Sequence, residues 1–258
     1  MGSRKEQLQA LERLLIIIDE LREKCPWDRK QTFQTLRHLT IEETYELGDA
    51  ILDNDLEEIK NELGDLLLHI LFYSKIGSEK NAFDIGDVAY QISEKLINRH
   101  PHVYNHTVLE NADQVLKNWE EIKLKEGKKS VLEGVPKSLP ALVKANRIQD
   151  KASGVGFDWE NAEAVLDKLK EELYELKEEV GGVDKIKMEA EFGDVLFSLV
   201  NYARLLKINP ENALERTNKK FIKRFNFIEN KARLTGRKIS DLSFEEMEFL
   251  WQQAKKYD

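Results

Sequence analysis

"LTIEETYELGDAI" occupies residues 39–51 and "LKEELYELKEEV" residues 169–180, and each contains Glu-Glu-x-Tyr-Glu-Leu. The copies are Glu42-Glu43-Thr44-Tyr45-Glu46-Leu47 and Glu171-Glu172-Leu173-Tyr174-Glu175-Leu176, offset by 129 residues. Either the chain has two solvated helix faces, or it carries one site twice. The spacing downstream favours the second reading. Glu46 is followed sixteen residues later by Glu62-Leu63-Gly64-Asp65, and Glu175 sixteen later by Glu191-Phe192-Gly193-Asp194, while the residues between differ. Shared gaps of this kind imply shared geometry.

On a helix, Glu42 and Glu46 are four apart and Glu43 and Glu46 three apart, so they share a face. Glu62 and Asp65 do the same on the following helix. The midpoint of 46 and 62 falls in the turn-forming Asp53-Asn54-Asp55, and that of 175 and 191 in Gly181-Gly182-Val183-Asp184. Each glutamate is then about eight residues, roughly 12 Å, from its turn, and an antiparallel hairpin brings the pair to one height. Glu43 and Asp65 meet one turn further out. Carboxylates so gathered repel unless a cation joins them. The expected ligands are Glu42, Glu46, Glu62 and Asp65 in the first half and Glu171, Glu175, Glu191 and Asp194 in the second. An oxygen-only set with Glu-x-x-Asp in place of Glu-x-x-His favours Mg²⁺, with Mn²⁺ as a substitute. Gly64 and Gly193, mid-helix, predict a close helix approach beside the carboxylates. The structural alternative is that Thr40-Ile41-Glu42-Glu43 is a capping box, which would give Glu43 a purely local task.

Long stretches have helical periodicity, beginning with Leu8, Leu11, Leu14, Leu15, Ile18 and Leu21. Comparable patterns run through 33–52, 56–76, 84–99, 111–124, 161–180, 184–207, 211–232 and 244–256. Few segments alternate with period two, so the expected class is all-α. The Gly- and Pro-rich "EGKKSVLEGVPKSLPA" at 126–141 and "SGVGFDW" at 153–159 read as irregular. The expected organisation is a helical domain over 5–125, a linker over 126–157 and a second helical domain over 158–258. A formal charge of −8, with charged residues of both signs making up 34% of the chain, offers no general footprint for nucleic acid or membrane. No apolar run reaches the roughly 20 residues of a membrane-spanning helix, and no signal-peptide pattern opens the chain. A lone Cys25 excludes an internal disulfide and fits a cytoplasmic location.

The halves correspond further downstream. Lys95 and Arg99 match Lys220 and Arg224, each pair four apart, and Trp119 with Lys123 matches Trp251 with Lys255. Cations facing a metal site can clamp a polyphosphate, and an aromatic ring can stack on a base.

With Glu-Glu-x-x-Glu, a spacer and Glu-x-x-Asp present twice, the chain resembles the MazG nucleoside triphosphate pyrophosphohydrolases. Cys25-Pro26-Trp27-Asp28, Asn98-Arg99-His100-Pro101-His102-Val103-Tyr104 and Val155-Gly156-Phe157-Asp158-Trp159 are similar to further segments of that family, so the resemblance spans nearly the whole chain. It implies two tandem MazG-type helical bundles, a homodimer, Mg²⁺ dependence, and hydrolysis of nucleoside triphosphates to monophosphate and pyrophosphate. On that mechanism Glu43 and Glu172, beside the ligands, are the expected proton acceptors, and the Lys and Arg pairs balance the leaving group. Asn201, seven residues after Asp194 where the first half has Phe72, and "NKKFIKRF" at 218–225 tilt nucleotide recognition towards the second half. The first half is expected at least to bind metal. His100, His102 and His106 are read as a loop or dimer contact. The competing readings are a non-catalytic interaction module and a phosphohydrolase that releases single phosphates.

Overall fold

A computed structural model describes residues 2–105, 114–115, 122, 130–182 and 184–257. No strand occurs among the described residues. Contacts divide the chain into two units, Met1–Val108 and Leu109–Asp258.

The first unit contains α1 (Arg4–Lys24), α2 (Phe33–Asp53), α3 (Leu56–Glu79), α4 (Ile85–Arg99) and the single-turn α5 (Pro101–Tyr104). Thr32 caps α2 in a reciprocal box with Thr35. That start leaves Thr40 and Glu43 inside the helix, so the capping box read at 40–43 does not exist. The Thr40 hydroxyl instead reaches the Leu36 carbonyl at 3.1 Å and the Tyr73 hydroxyl at 2.6 Å. Asn54 ends α2 at φ 56°, a left-handed conformation that asparagine tolerates, and Asp55 caps α3 by accepting from the Glu57 and Glu58 N–H groups. This two-residue turn makes the antiparallel hairpin predicted about residue 54. Ile18, Leu36, Leu71, Phe72 and Ile76 form the buried core that α1 shares with the hairpin.

The second unit contains α6 (Ala141–Ser153), α7 (Ala162–Glu179), α8 (Lys185–Leu205), α9 (Pro210–Leu234) and α10 (Phe244–Ala254). Gly181, at φ +98°, and the Asp184 cap turn α7 into α8. The α7–α8 hairpin is the counterpart of α2–α3, and these are the two largest helix–helix interfaces among the described residues.

Helix α6 lies within the stretch 126–157 read as linker. The turn chemistry of residues 130–140 is real, but Leu142, Ala145, Ile148 and Ala152 recur at threes and fours immediately after it. The helix packs on α8 and α9, as α1 packs on α3. Its buried Lys151 donates to the Val131 and Glu133 carbonyls at 2.8 and 3.3 Å and so ties down the irregular segment before it. Most of the pattern over 111–124, including Trp119 and Lys123, lies outside the described residues, as does His106.

Among the described residues the close approach predicted at Gly64 and Gly193 is absent. Both glycines are exposed, and a Cβ built on either would meet nothing within 4 Å. Their helical cost is therefore uncompensated within each unit. Gly64→Ala and Gly193→Ala are each expected to raise stability by about 1 kcal/mol, read as a higher urea midpoint at unchanged slope.

Candidate active site

In the first unit Glu43 and Glu46 on α2 and Glu62 on α3 each present an oxygen within 4.8 Å of the others. Glu62 is 6% exposed, and its Oε2 is buried without a hydrogen-bond partner. Desolvation, followed by the charges of Glu46 and Glu58, pushes its carboxyl from an ordinary 4.5 up to about 7. Desolvation and then the charges of Glu43 and Glu42 also raise Glu46. No lysine or arginine pairs with the three among the described residues. A buried carboxylate oxygen with no donor, beside two more carboxylates, is a donor set for a hard divalent cation.

The second unit repeats the group with Glu172, Glu175 and Glu191 on α7 and α8. Here the charge is handled differently. Lys168, one turn before Glu172, reaches Glu171 at 2.9 Å and Glu172, itself 7% exposed, at 2.8 Å. Hydrogen bonds to Glu171 and then Glu172 hold the lysine well above its usual range. Desolvation and then Glu172 raise the Glu175 carboxyl, and Lys168 opposes the shift. At the same offset of 129 the first half has Leu39, a core-facing residue. Sequence reasoning missed Lys168. Its signal was the i, i+3 and i, i+4 spacing to two glutamates already singled out.

The predicted convergence of Glu46 with Glu62 and of Glu175 with Glu191 is thus present, joined in each unit by Glu43 or Glu172. Glu42, Asp65, Glu171 and Asp194 are exposed and stand outside the two groups, Glu171 being held by Lys168. Lys95 and Arg99 lie one turn apart on α4, and Lys220 and Arg224 on α9. The Arg224 guanidinium sits 5.2 Å from the Trp251 ring centroid, and Phe221 packs on the same ring at 5.1 Å. Lys255 is exposed just after α10. These basic and aromatic residues belong to other helices than the carboxylates. Asn201, on α8, is 9% exposed, and its Oδ1 accepts from Arg204 Nε and Nη2 at 3.1 and 2.9 Å. The His100 and His102 rings are 5.6 Å apart and belong to no metal-binding group among the described residues.

The motif segments form corners. Arg22 pairs with Glu79 at 2.6 Å and donates to the Asp28 and Gln31 carbonyls, closing the chain after α1. Asp158 pairs with Arg204 and accepts from the Ser153 hydroxyl at 2.6 Å, closing the chain after α6. Burial raises the Asp158 carboxyl, but bonds from Arg204, Ser153 and the Trp159 N–H outweigh it and hold it below its usual value.

Paired helices with one tricarboxylate group per repeat define an all-α tandem protein with a duplicated acidic site. The MazG nucleotide pyrophosphohydrolase domain matches twice, at residues 31–104 and 160–227. The chain is 42% identical over 262 residues to the nucleoside triphosphate pyrophosphohydrolase of Escherichia coli (strain K12), an alignment covering 97% of this chain and 99% of that protein. It is 43% identical over 259 residues to the nucleoside triphosphate pyrophosphohydrolase/pyrophosphatase MazG of Thermotoga maritima, covering 98% and 99%. It is also 47% identical over 246 residues to the uncharacterized protein YabN of Bacillus subtilis (strain 168), covering 93% of this chain and 50% of that one. The chain belongs to the MazG nucleotide pyrophosphohydrolase family.

Proposed function

We propose that the protein hydrolyses nucleoside triphosphates between the α and β phosphates, releasing monophosphate and pyrophosphate. The observation that carries this reading is the buried, unpartnered Glu62 oxygen inside a tricarboxylate group that recurs in the second repeat. Glu46 and Glu62, and Glu175 and Glu191, would hold Mg²⁺, with Mn²⁺ able to replace it. Asp65 and Asp194, one turn further along the same helices, would complete the set. The ion, when bound, neutralises phosphate charge and acidifies the attacking water. The remaining steps belong to the chain. Glu43 and Glu172 orient the water and accept its proton, and Lys168 fixes the orientation of Glu172. Attack on the α phosphorus expels pyrophosphate, whose charge Lys220 and Arg224 balance; Trp251 sets the Arg224 side chain.

In this reading the second repeat carries most of the turnover, and the first at least binds metal. Broad base acceptance, a role in clearing or regulating the nucleotide pool, a homodimer and a cytoplasmic location complete the proposal. No helix of the described residues is long and apolar enough to cross a membrane. Phosphorus NMR of a triphosphate mixture with Mg²⁺ tests the reaction. Monophosphate and pyrophosphate, both abolished by EDTA, are expected. Diphosphate with orthophosphate rejects α–β cleavage, and unchanged triphosphates favour a non-catalytic interaction module.

A further inference from the structure

We propose that the first repeat keeps a resident divalent cation, bound without nucleotide, while the second repeat takes up its cation only together with the triphosphate. The part about the first repeat stands on that repeat's own residues, and the part about the second rests on the triphosphate reading above. Both follow from what surrounds two carboxylate groups that are otherwise alike.

In the first repeat the negative charges add without opposition. Glu43, Glu46 and Glu62 present oxygens within 4.8 Å of one another, and the buried Oε2 of Glu62 has no donor. Glu58, one turn before Glu62 on α3, bears on both Glu46 and Glu62, and Glu42 bears on Glu46. Five carboxylates thus act on one spot, with no lysine or arginine paired to the three that converge, among the described residues. Affinity for a hard cation rises with the number of charged oxygen ligands, and a desolvated oxygen without a donor adds to the gain. The same charge density turns away a polyanion, so this group favours the bare ion over a metal–triphosphate complex.

The second repeat changes the charge at two of these places. Lys168 and Lys187 stand where the first repeat has Leu39 and Glu58, a difference of three charges. Lys168 reaches Glu172 at 2.8 Å and Glu171 at 2.9 Å. A bare cation there must compete with an ammonium already bonded to Glu172, and it then sits beside a like charge. A metal–triphosphate complex brings its own negative charge, so the lysine that opposes the bare ion does not oppose the complex. The two hairpins therefore differ in whether metal precedes nucleotide, although their convergent glutamates match. In the first repeat the ion ties α2 to α3 and belongs to the fold; in the second it arrives with the substrate.

The test counts Mn²⁺ retained with the full chain on ultrafiltration, first without nucleotide. Tight binding is expected in the wild-type chain, kept in Glu191→Gln and weakened about tenfold or more in Glu62→Gln, because ligand charge sets affinity. Glu58→Lys changes an exposed residue outside the converging three and should weaken the same binding about tenfold. Lys168→Met should add nucleotide-free Mn²⁺ binding that the wild-type chain lacks, a gain that misfolding cannot mimic. A nucleoside triphosphate with a methylene group between its α and β phosphorus atoms resists the proposed cleavage. Its addition should bring further Mn²⁺ onto the wild-type chain but not onto Glu191→Gln. Absence of tight nucleotide-free binding, or binding that Glu191→Gln abolishes and Glu62→Gln spares, overturns the resident ion. Nucleotide-free binding at both repeats of the wild-type chain, or no gain in Lys168→Met, overturns the difference between them. If no triphosphate is hydrolysed, the reaction proposed above fails, and the nucleotide-free titration still decides the resident ion.

Discussion

Glu191→Gln is expected to lower kcat/KM for nucleoside triphosphates by about 10³-fold or more, whereas Glu62→Gln costs about tenfold or less. The two glutamates hold the same place in the two repeats, so the contrast comes from their surroundings. Glu191 shares its unit with a cavity of about 690 Å³ lined by Gln149, Phe197 and Asn201, and with the Arg224–Trp251 pair. In the first repeat the position of Asn201 is taken by Phe72, which is buried in the core, and that of Arg204 by Lys75, which pairs with Asp19. Glutamine keeps the size of either side chain and removes the charge, so each variant tests charge with little change in packing. The loss at Glu191 should fall on kcat, because charge stabilisation in phosphoryl transfer is realised in the transition state. Lys168→Met supplies a second comparison. It should relax Glu172 and lower kcat while leaving the first unit's metal affinity intact, since Leu39 stands at the matching position. The reverse ranking, with Glu62→Gln inactive and Glu191→Gln active, would assign turnover to the first repeat.

The hairpin was legible in the sequence because its two constraints are local and periodic. A sixteen-residue gap centred on Asn54 fixes which carboxylates share a height, and the structure puts Glu46 beside Glu62. Burial was not legible. Nothing in the spacing tells that Glu62 is enclosed while Asp65, one turn later, faces solvent. The same gap in the information explains Gly64 and Gly193: a mid-helix glycine signals a missing side chain but not whether its face meets a neighbour. The capping box at Thr40 failed because a better cap, Thr32 with Thr35, lies two turns upstream and starts α2 earlier. Helix α6 was obscured by the turn residues before it. Its apolar spacing was present, but Lys144, Asn146, Arg147, Asp150 and Lys151 make the segment read as polar, and Lys151 is buried only because two carbonyls receive it. The repeat is therefore longer than the acidic motifs suggest, since α6 occupies in the second unit the place of α1 in the first.

In EDTA the contribution of Glu62 to stability should fall as pH rises, and added Mg²⁺ should reverse that trend. The carboxyl is raised from 4.5 to about 7 in the folded chain, so between those values the folded state holds a proton that the unfolded state has released. Stability from this group then decreases with pH across that window, and above about 7 the full cost of an unpaired buried charge is present. A divalent cation binds the ionised form. It must displace the proton below pH 7 and meets a ready carboxylate above it, so apparent affinity rises with pH. The rise in melting temperature on adding Mg²⁺ should therefore be larger at pH 8 than at pH 5.5. Glu62→Gln separates this group from the rest of the protein. At pH 8 in EDTA it should melt a few degrees above the parent chain, because it removes the charge and keeps the shape. It should also lose much of the Mg²⁺-induced increase. A carboxylate kept only for folding would give the opposite result, with Glu62→Gln melting below the parent in EDTA at pH 8. The stability lost in the metal-free protein is on this account a consequence of keeping an ionisable oxygen where only a cation can satisfy it.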